Sequence, residues 1–79
     1  MDRVARDRLK WKCRRGLLEL DLVLDRFMRR HAGKMDEGEL ARLSELLDLG
    51  DHELWDIVNG RSDSYEARFG GVVARLRAS

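Results

Sequence analysis

Proline is absent from this chain of 79 residues, so no helix has to bend around a missing backbone donor. Cysteine occurs once, at Cys13, which excludes an intrachain disulfide and points to a reducing compartment. No apolar run approaches the roughly 20 residues that span a bilayer. The start, Met1-Asp2-Arg3, has no apolar stretch of the secretory kind. A cytoplasmic chain without membrane insertion is the expectation. Sustained alternation of apolar and polar residues is also missing, so no strand is expected.

What the chain does contain is charge and helix-forming residues. The net charge is +1, but it is unevenly spread. Residues 1–15 carry seven basic and two acidic side chains, and the remainder carries nine basic and thirteen acidic ones. A positive arm on a mildly acidic body favours oriented docking on a partner of mixed charge. It does not resemble the uniformly basic surface of a nucleic-acid binder.

Five helical segments follow from apolar spacing, giving an all-α, compact, single-domain five-helix bundle over residues 1–79. The first runs from about Asp2 to Arg14, with Ala5, Leu9 and Cys13 four apart on one face. The second starts at Gly16, read as its N-cap, and carries Leu17, Leu20, Val23, Leu24, Phe27 and Met28 at threes and fours. Gly33 is its expected stop. Asp36 caps the third, with Glu39 completing a capping box and Met35 and Leu40 a hydrophobic staple. Asp51 is read as the cap of the fourth, and Gly60 closes it. The fifth is expected to start at Ser62-Asp63-Ser64, which places Gly70-Gly71 in its interior as a weak point.

Few residues suit chemistry. Cys13, His31 and His52 are far apart and lack the paired spacing of a zinc site. Lys12, Arg14 and Arg15 could activate Cys13 as a nucleophile, but its place on the apolar face argues for an inert, buried thiol. No Gly-rich phosphate loop is present, so stable binding of a dinucleotide by this chain is not expected. Trp55 reads as core or core edge. Trp11, between Lys10 and Lys12, reads equally as an amphipathic packing residue or an exposed anchor. The stretch Arg15-Gly16-Leu17-Leu18-Glu19 can be a plain helix start. It also suits recognition, because a bare backbone position lies between a guanidinium and a carboxylate.

The run Trp11-Lys12-Cys13-Arg14-Arg15-Gly16-Leu17-Leu18-Glu19-Leu20-Asp21 resembles the signature region of the succinate dehydrogenase flavinylation factors, the SdhE family. The family's RGxxE motif falls on Arg15, Gly16 and Glu19. Leu46-Leu47-Asp48 and Asp51-His52-Glu53-Leu54-Trp55 resemble its passage from helix three to helix four. The likeness covers residues 8–58, and residues 59–79 depart from it. The resemblance implies a five-helix fold and a bacterial, cytoplasmic, non-enzymatic assembly factor. Its partner would be the flavoprotein subunit of succinate dehydrogenase, with that of fumarate reductase as a further client. FAD would be joined covalently to a histidine of the partner. Arg15, Gly16 and Glu19 would contact the partner or orient the loop that does, supported by Arg14, Asp21 and Trp11. On this reading Gly16→Arg and Glu19→Ala fold normally and lose the activity. Two other classes stand beside it: a protein-binding module of the antitoxin type, and a small nucleic-acid binder.

Overall fold

The computed structural model describes residues 3–78. Five α-helices follow one another: α1 (Arg3–Lys12), α2 (Leu18–His31), α3 (Glu37–Leu46), α4 (Asp51–Val58) and α5 (Gly70–Arg77). Single 3-10 turns at Ala32–Lys34 and Ala67–Phe69 lead out of α2 and into α5. Among the described residues there is no strand. Asp2, placed at the start of the first helix by sequence, lies outside the described residues. The radius of gyration, 11.5 Å, is that of a close-packed chain of this length.

The apolar spacing produces the core directly. Leu20, Leu24 and Phe27 of α2 meet Leu43 and Leu46 of α3, Leu54 and Ile57 of α4, and Val73 and Leu76 of α5, all essentially without solvent exposure. The last helix is central, since α5 packs on α2, α3 and α4. Met35 and Leu40 are both buried, and the Asp36 carboxylate accepts from the Glu39 N–H at 2.8 Å, as the cap and staple require. No charged or polar residue is fully buried among the described residues.

Several boundaries differ from the sequence reading. The N-cap of α2 is Leu17, not Gly16, and Glu19 is its second residue. The N-cap of α4 is Gly50, and Asp51 opens the helix with its carboxylate turned to Arg15. Gly33 falls within the 3-10 turn after α2. The largest correction concerns α5, which starts at Gly70 and not at Ser62. Residues 62–66 stay non-helical because their groups bond elsewhere. The Arg77 guanidinium donates to the carbonyls of Ile57 (2.9 Å) and Ser62 (3.0 Å) and to the Asp63 carboxylate (2.9 Å). Gly70 and Gly71 therefore occupy the first turn of α5, where their conformational cost is smaller than in a helix interior.

Candidate protein-docking face

The segment between α1 and α2 is built around two opposed clamps. The Asp21 carboxylate reaches back from α2 and accepts from the backbone N–H of Arg15 (2.7 Å) and of Gly16 (3.2 Å). Two donors that precede a helix are thus satisfied by one acidic side chain. This bend needs Gly16 in the left-handed region, with φ +80°, where an L side chain is strained. Gly16 is exposed, and a Cβ built on it meets nothing within 4 Å. Both reasons for glycine therefore hold together: the backbone demands it, and the space above it is open. The expectation that substitution leaves folding untouched is corrected accordingly, because any Cβ carries a backbone cost of about 1–2 kcal/mol.

Arg15 forms the second clamp. Sequence reasoning set its guanidinium beside Gly16 on the surface, but the structure turns it inward. The side chain is only 12% exposed, and Nε donates to the Asp51 carboxylate at 2.7 Å. Its terminal nitrogens donate to the carbonyls of Lys12, Leu47 and Leu49. Those last two carbonyls belong to the corner between α3 and α4. Arg15 therefore fastens that corner to the end of α1. Lys12 adds a parallel tie, donating to the Ser44 hydroxyl (3.0 Å) and carbonyl (3.2 Å) and pairing with Asp48 at 2.9 Å. The physical reason for the correction is simple. A planar five-donor fork finds three acceptors in this corner and a fourth at the end of α1, and only water at the surface.

The exposed side of the turn carries different groups. Trp11 is 71% exposed, with the Arg14 guanidinium 5.6 Å from its ring centroid. Leu18 and Leu22, one helical turn apart, are 71% and 55% exposed on the outward face of α2. The motif reading overlooked these two leucines. Their signal was present, since both lie off the Leu20-Leu24-Phe27 stripe. The Glu19 side chain is exposed, with no ion pair or hydrogen bond to another described residue. It lies about 100° around α2 from Leu18. On the other flank, Arg14, Asp21, Leu22 and Asp25 line an open groove of about 650 Å³ between α1 and α2. Of the six predicted site residues, Trp11, Arg14, Gly16 and Glu19 reach the surface around the turn, while Arg15 and Asp21 hold it from below. Trp55 is partly buried against the core.

The remaining candidates do not assemble. Among the described residues no three of His, Cys, Asp and Glu come together to hold a metal ion. His31 ends α2 with its ring 5.0 Å from that of Phe27. Cys13 is buried, and burial pushes its thiol up to about 11, against the pull of Arg15 and with a push from Asp21 and Asp25. Such a thiol is a poor nucleophile near neutrality. Because its folded value lies above the unfolded 9.0, the unfolded chain releases its proton first as pH rises. The contribution of Cys13 to stability is thus whole below pH 9 and is lost between about 9 and 11. Cys13→Ala should flatten the fall of denaturation midpoint across that window, measured by urea titration of both proteins. Parallel pH profiles would exclude the effect.

Comparison with known proteins fits this geometry. The sequence profile of the family described as "Flavinator of succinate dehydrogenase" matches residues 7–79. The match runs through α5, so the departure expected over residues 59–79 is corrected: that segment supplies Val72, Val73 and Leu76 to the core. Three proteins named FAD assembly factor SdhE are similar. That of Ralstonia nicotianae is 36% identical over 58 residues, 73% of this chain and 61% of the relative, so the match spans less than two thirds of that protein's length. That of Legionella pneumophila (strain Lens) is 40% identical over 63 residues, 80% of each chain. That of Methylococcus capsulatus is 37% identical over 73 residues, 92% of this chain and 88% of the relative. No helix among the described residues is long and apolar enough to cross a membrane. With a family profile spanning α1 to α5 and relatives of this identity, the chain belongs to the succinate dehydrogenase flavinator family.

Proposed function

We propose that this chain is an assembly factor that promotes covalent attachment of FAD to the flavoprotein subunit of succinate dehydrogenase, by binding that subunit. The flavoprotein subunit of fumarate reductase is a second client on the same reading. The observation that carries the proposal is the turn at Gly16. It is an open backbone position, held from below by Asp21 and Arg15 and ringed by exposed Trp11, Leu18 and Leu22. Large side chains left in water around a rigid bend are what a protein interface needs at its centre.

The chain acts without being an enzyme. The bond forms between flavin and a histidine of the partner, and this chain supplies binding energy alone. By favouring the partner conformation in which the two reactants meet, it gains rate through positioning. FAD stays with the partner and is not held stably by this chain.

In a strain lacking the gene, the succinate dehydrogenase flavoprotein subunit should lose its in-gel flavin fluorescence while its abundance is preserved. Re-expression of this chain should restore the signal. Undiminished fluorescence in the deletion strain would reject the proposal.

A further inference from the structure

The cations of this chain fall into two groups. Lys12, Arg15, Arg29, Arg68, Arg75 and Arg77 each pair with a carboxylate within the fold. Arg3, Arg6, Arg8, Lys10 and Arg14 do not, although all five are exposed and fall within twelve residues of one another. Arg26, Arg30, Lys34, Arg42 and Arg61 also lack such a pair among the described residues, but they are spread over α2, α3 and the turns that follow α2 and α4, whereas the first five lie on α1 or just past its end. Its buried side is small, resting on Leu9 with Cys13 just beyond the helix end. Along its outward side, Val4 (59% exposed) and Trp11 lie seven residues apart and so share a face.

Nearby acids do not neutralise this surface. Asp7 is the single acid described on α1 and is exposed. Asp21 and Asp25 line the groove beside Lys10 and Arg14. The first is committed to the backbone of Arg15 and Gly16, and the second pairs with Arg29 at 3.1 Å. Arg6 and Lys10 are one turn apart, a like-charge spacing that works against the helix in isolation. An acidic surface laid against α1 would relieve that repulsion. The cationic strip also runs without a break into the proposed docking turn, because Arg14 sits over Trp11 and lines the groove beside Leu22.

We infer that the outward face of α1 is a contact for an acidic patch on the same flavoprotein subunit, and that it sets how fast the two proteins meet. The inference rests on the proposed function and adds a division of labour to it. The turn at Gly16 fixes the bound geometry, whereas α1 steers the approach. Long-range attraction of this kind raises association rates and is screened by salt, while leaving dissociation largely alone.

The test uses the full chain and the purified flavoprotein subunit, with association and dissociation followed from low to high ionic strength. Combining Arg3→Gln, Arg6→Gln, Arg8→Gln and Lys10→Gln keeps good helix formers on α1 and removes four charges. The combined variant should associate about tenfold more slowly at low ionic strength. It should also lose most of the salt dependence and dissociate at the wild-type rate. A control with Arg26→Gln, Arg30→Gln, Lys34→Gln and Arg61→Gln changes the net charge equally but spares α1, and should associate nearly as the wild type does. An unchanged rate in the α1 variant, or equal losses in both variants, would overturn the inference. So would an unchanged rate accompanied by salt-sensitive binding to anionic vesicles or duplex DNA. If wild-type protein fails to bind the flavoprotein at any ionic strength, it is the proposed function that falls.

Discussion

Arg15→Ala should lower the free energy of unfolding by about 3 kcal/mol, the largest stability loss expected from any single change around the Gly16 turn. The estimate follows from what the guanidinium leaves behind. Its removal strips the Asp51 carboxylate of a partner 2.7 Å away and frees the carbonyls of Lys12, Leu47 and Leu49. A hydrogen bond to a charged group contributes about 1.5–3 kcal/mol, and breaking a buried pair costs about 3–5. Asp51 is 41% exposed, so water rescues part of its loss and the lower end applies. For a domain of this size, whose whole stability is about 4–12 kcal/mol, that is a large fraction. Arg15→Lys should recover only part, because an ammonium cannot serve the carbonyls and the carboxylate with one planar fork. Urea denaturation of the three proteins measures both steps. A loss under about 0.5 kcal/mol for Arg15→Ala, the range of ordinary surface changes, would return Arg15 to the surface role that its motif suggests.

This distinction matters for reading the motif. If Arg15 works by fastening the α3–α4 corner to the end of α1, its variants should lose flavinylation in step with folding. Lowering the temperature should then restore activity to Arg15→Ala. A residue that touches the partner would lose activity at every temperature.

The helices were legible because apolar spacing and burial are the same fact seen twice: Leu20, Leu24 and Phe27 recur at threes and fours, and all are fully buried. Asp36 was legible because its cap bond closes within three residues of sequence. The errors share an origin in long-range acceptors. Asp51 looked like a cap because nothing local shows that a guanidinium 36 residues away claims it. Ser62-Asp63-Ser64 has the composition of a helix start, yet Arg77 takes the Ser62 carbonyl and the Asp63 carboxylate from across the fold. Arg15 was misplaced for the same reason, since its partners are mostly backbone carbonyls, which carry no residue identity. Leu18 and Leu22 could have been found by asking which leucines the core stripe omits.

The series Gly16→Ala, Gly16→Asn and Gly16→Arg separates the two demands made on that position. All three put a Cβ on a backbone at φ +80°, so all lose stability. Alanine and arginine should lose about 1–2 kcal/mol each, and asparagine less, because its side chain tolerates the left-handed region. The space above Gly16 is empty to 4 Å, so arginine should destabilise the free chain no more than alanine does. Binding should behave otherwise. A partner backbone seated on the bare turn tolerates a methyl poorly and a long cation not at all. Gly16→Arg is therefore expected to weaken binding by at least 2 kcal/mol, roughly thirtyfold, the scale of an interface hot spot. Covalent flavin on the partner should fall with it. Glu19→Ala provides the matching test on the anionic side: an exposed, unpaired carboxylate in the first turn of α2 contributes only about 0.3–1 kcal/mol to the helix, yet its removal should cost the activity severely. Chemical denaturation beside in-gel flavin fluorescence for all four variants decides between the demands. If flavinylation simply followed stability, with alanine and arginine indistinguishable at Gly16, the turn would be a folding element and the partner would dock elsewhere.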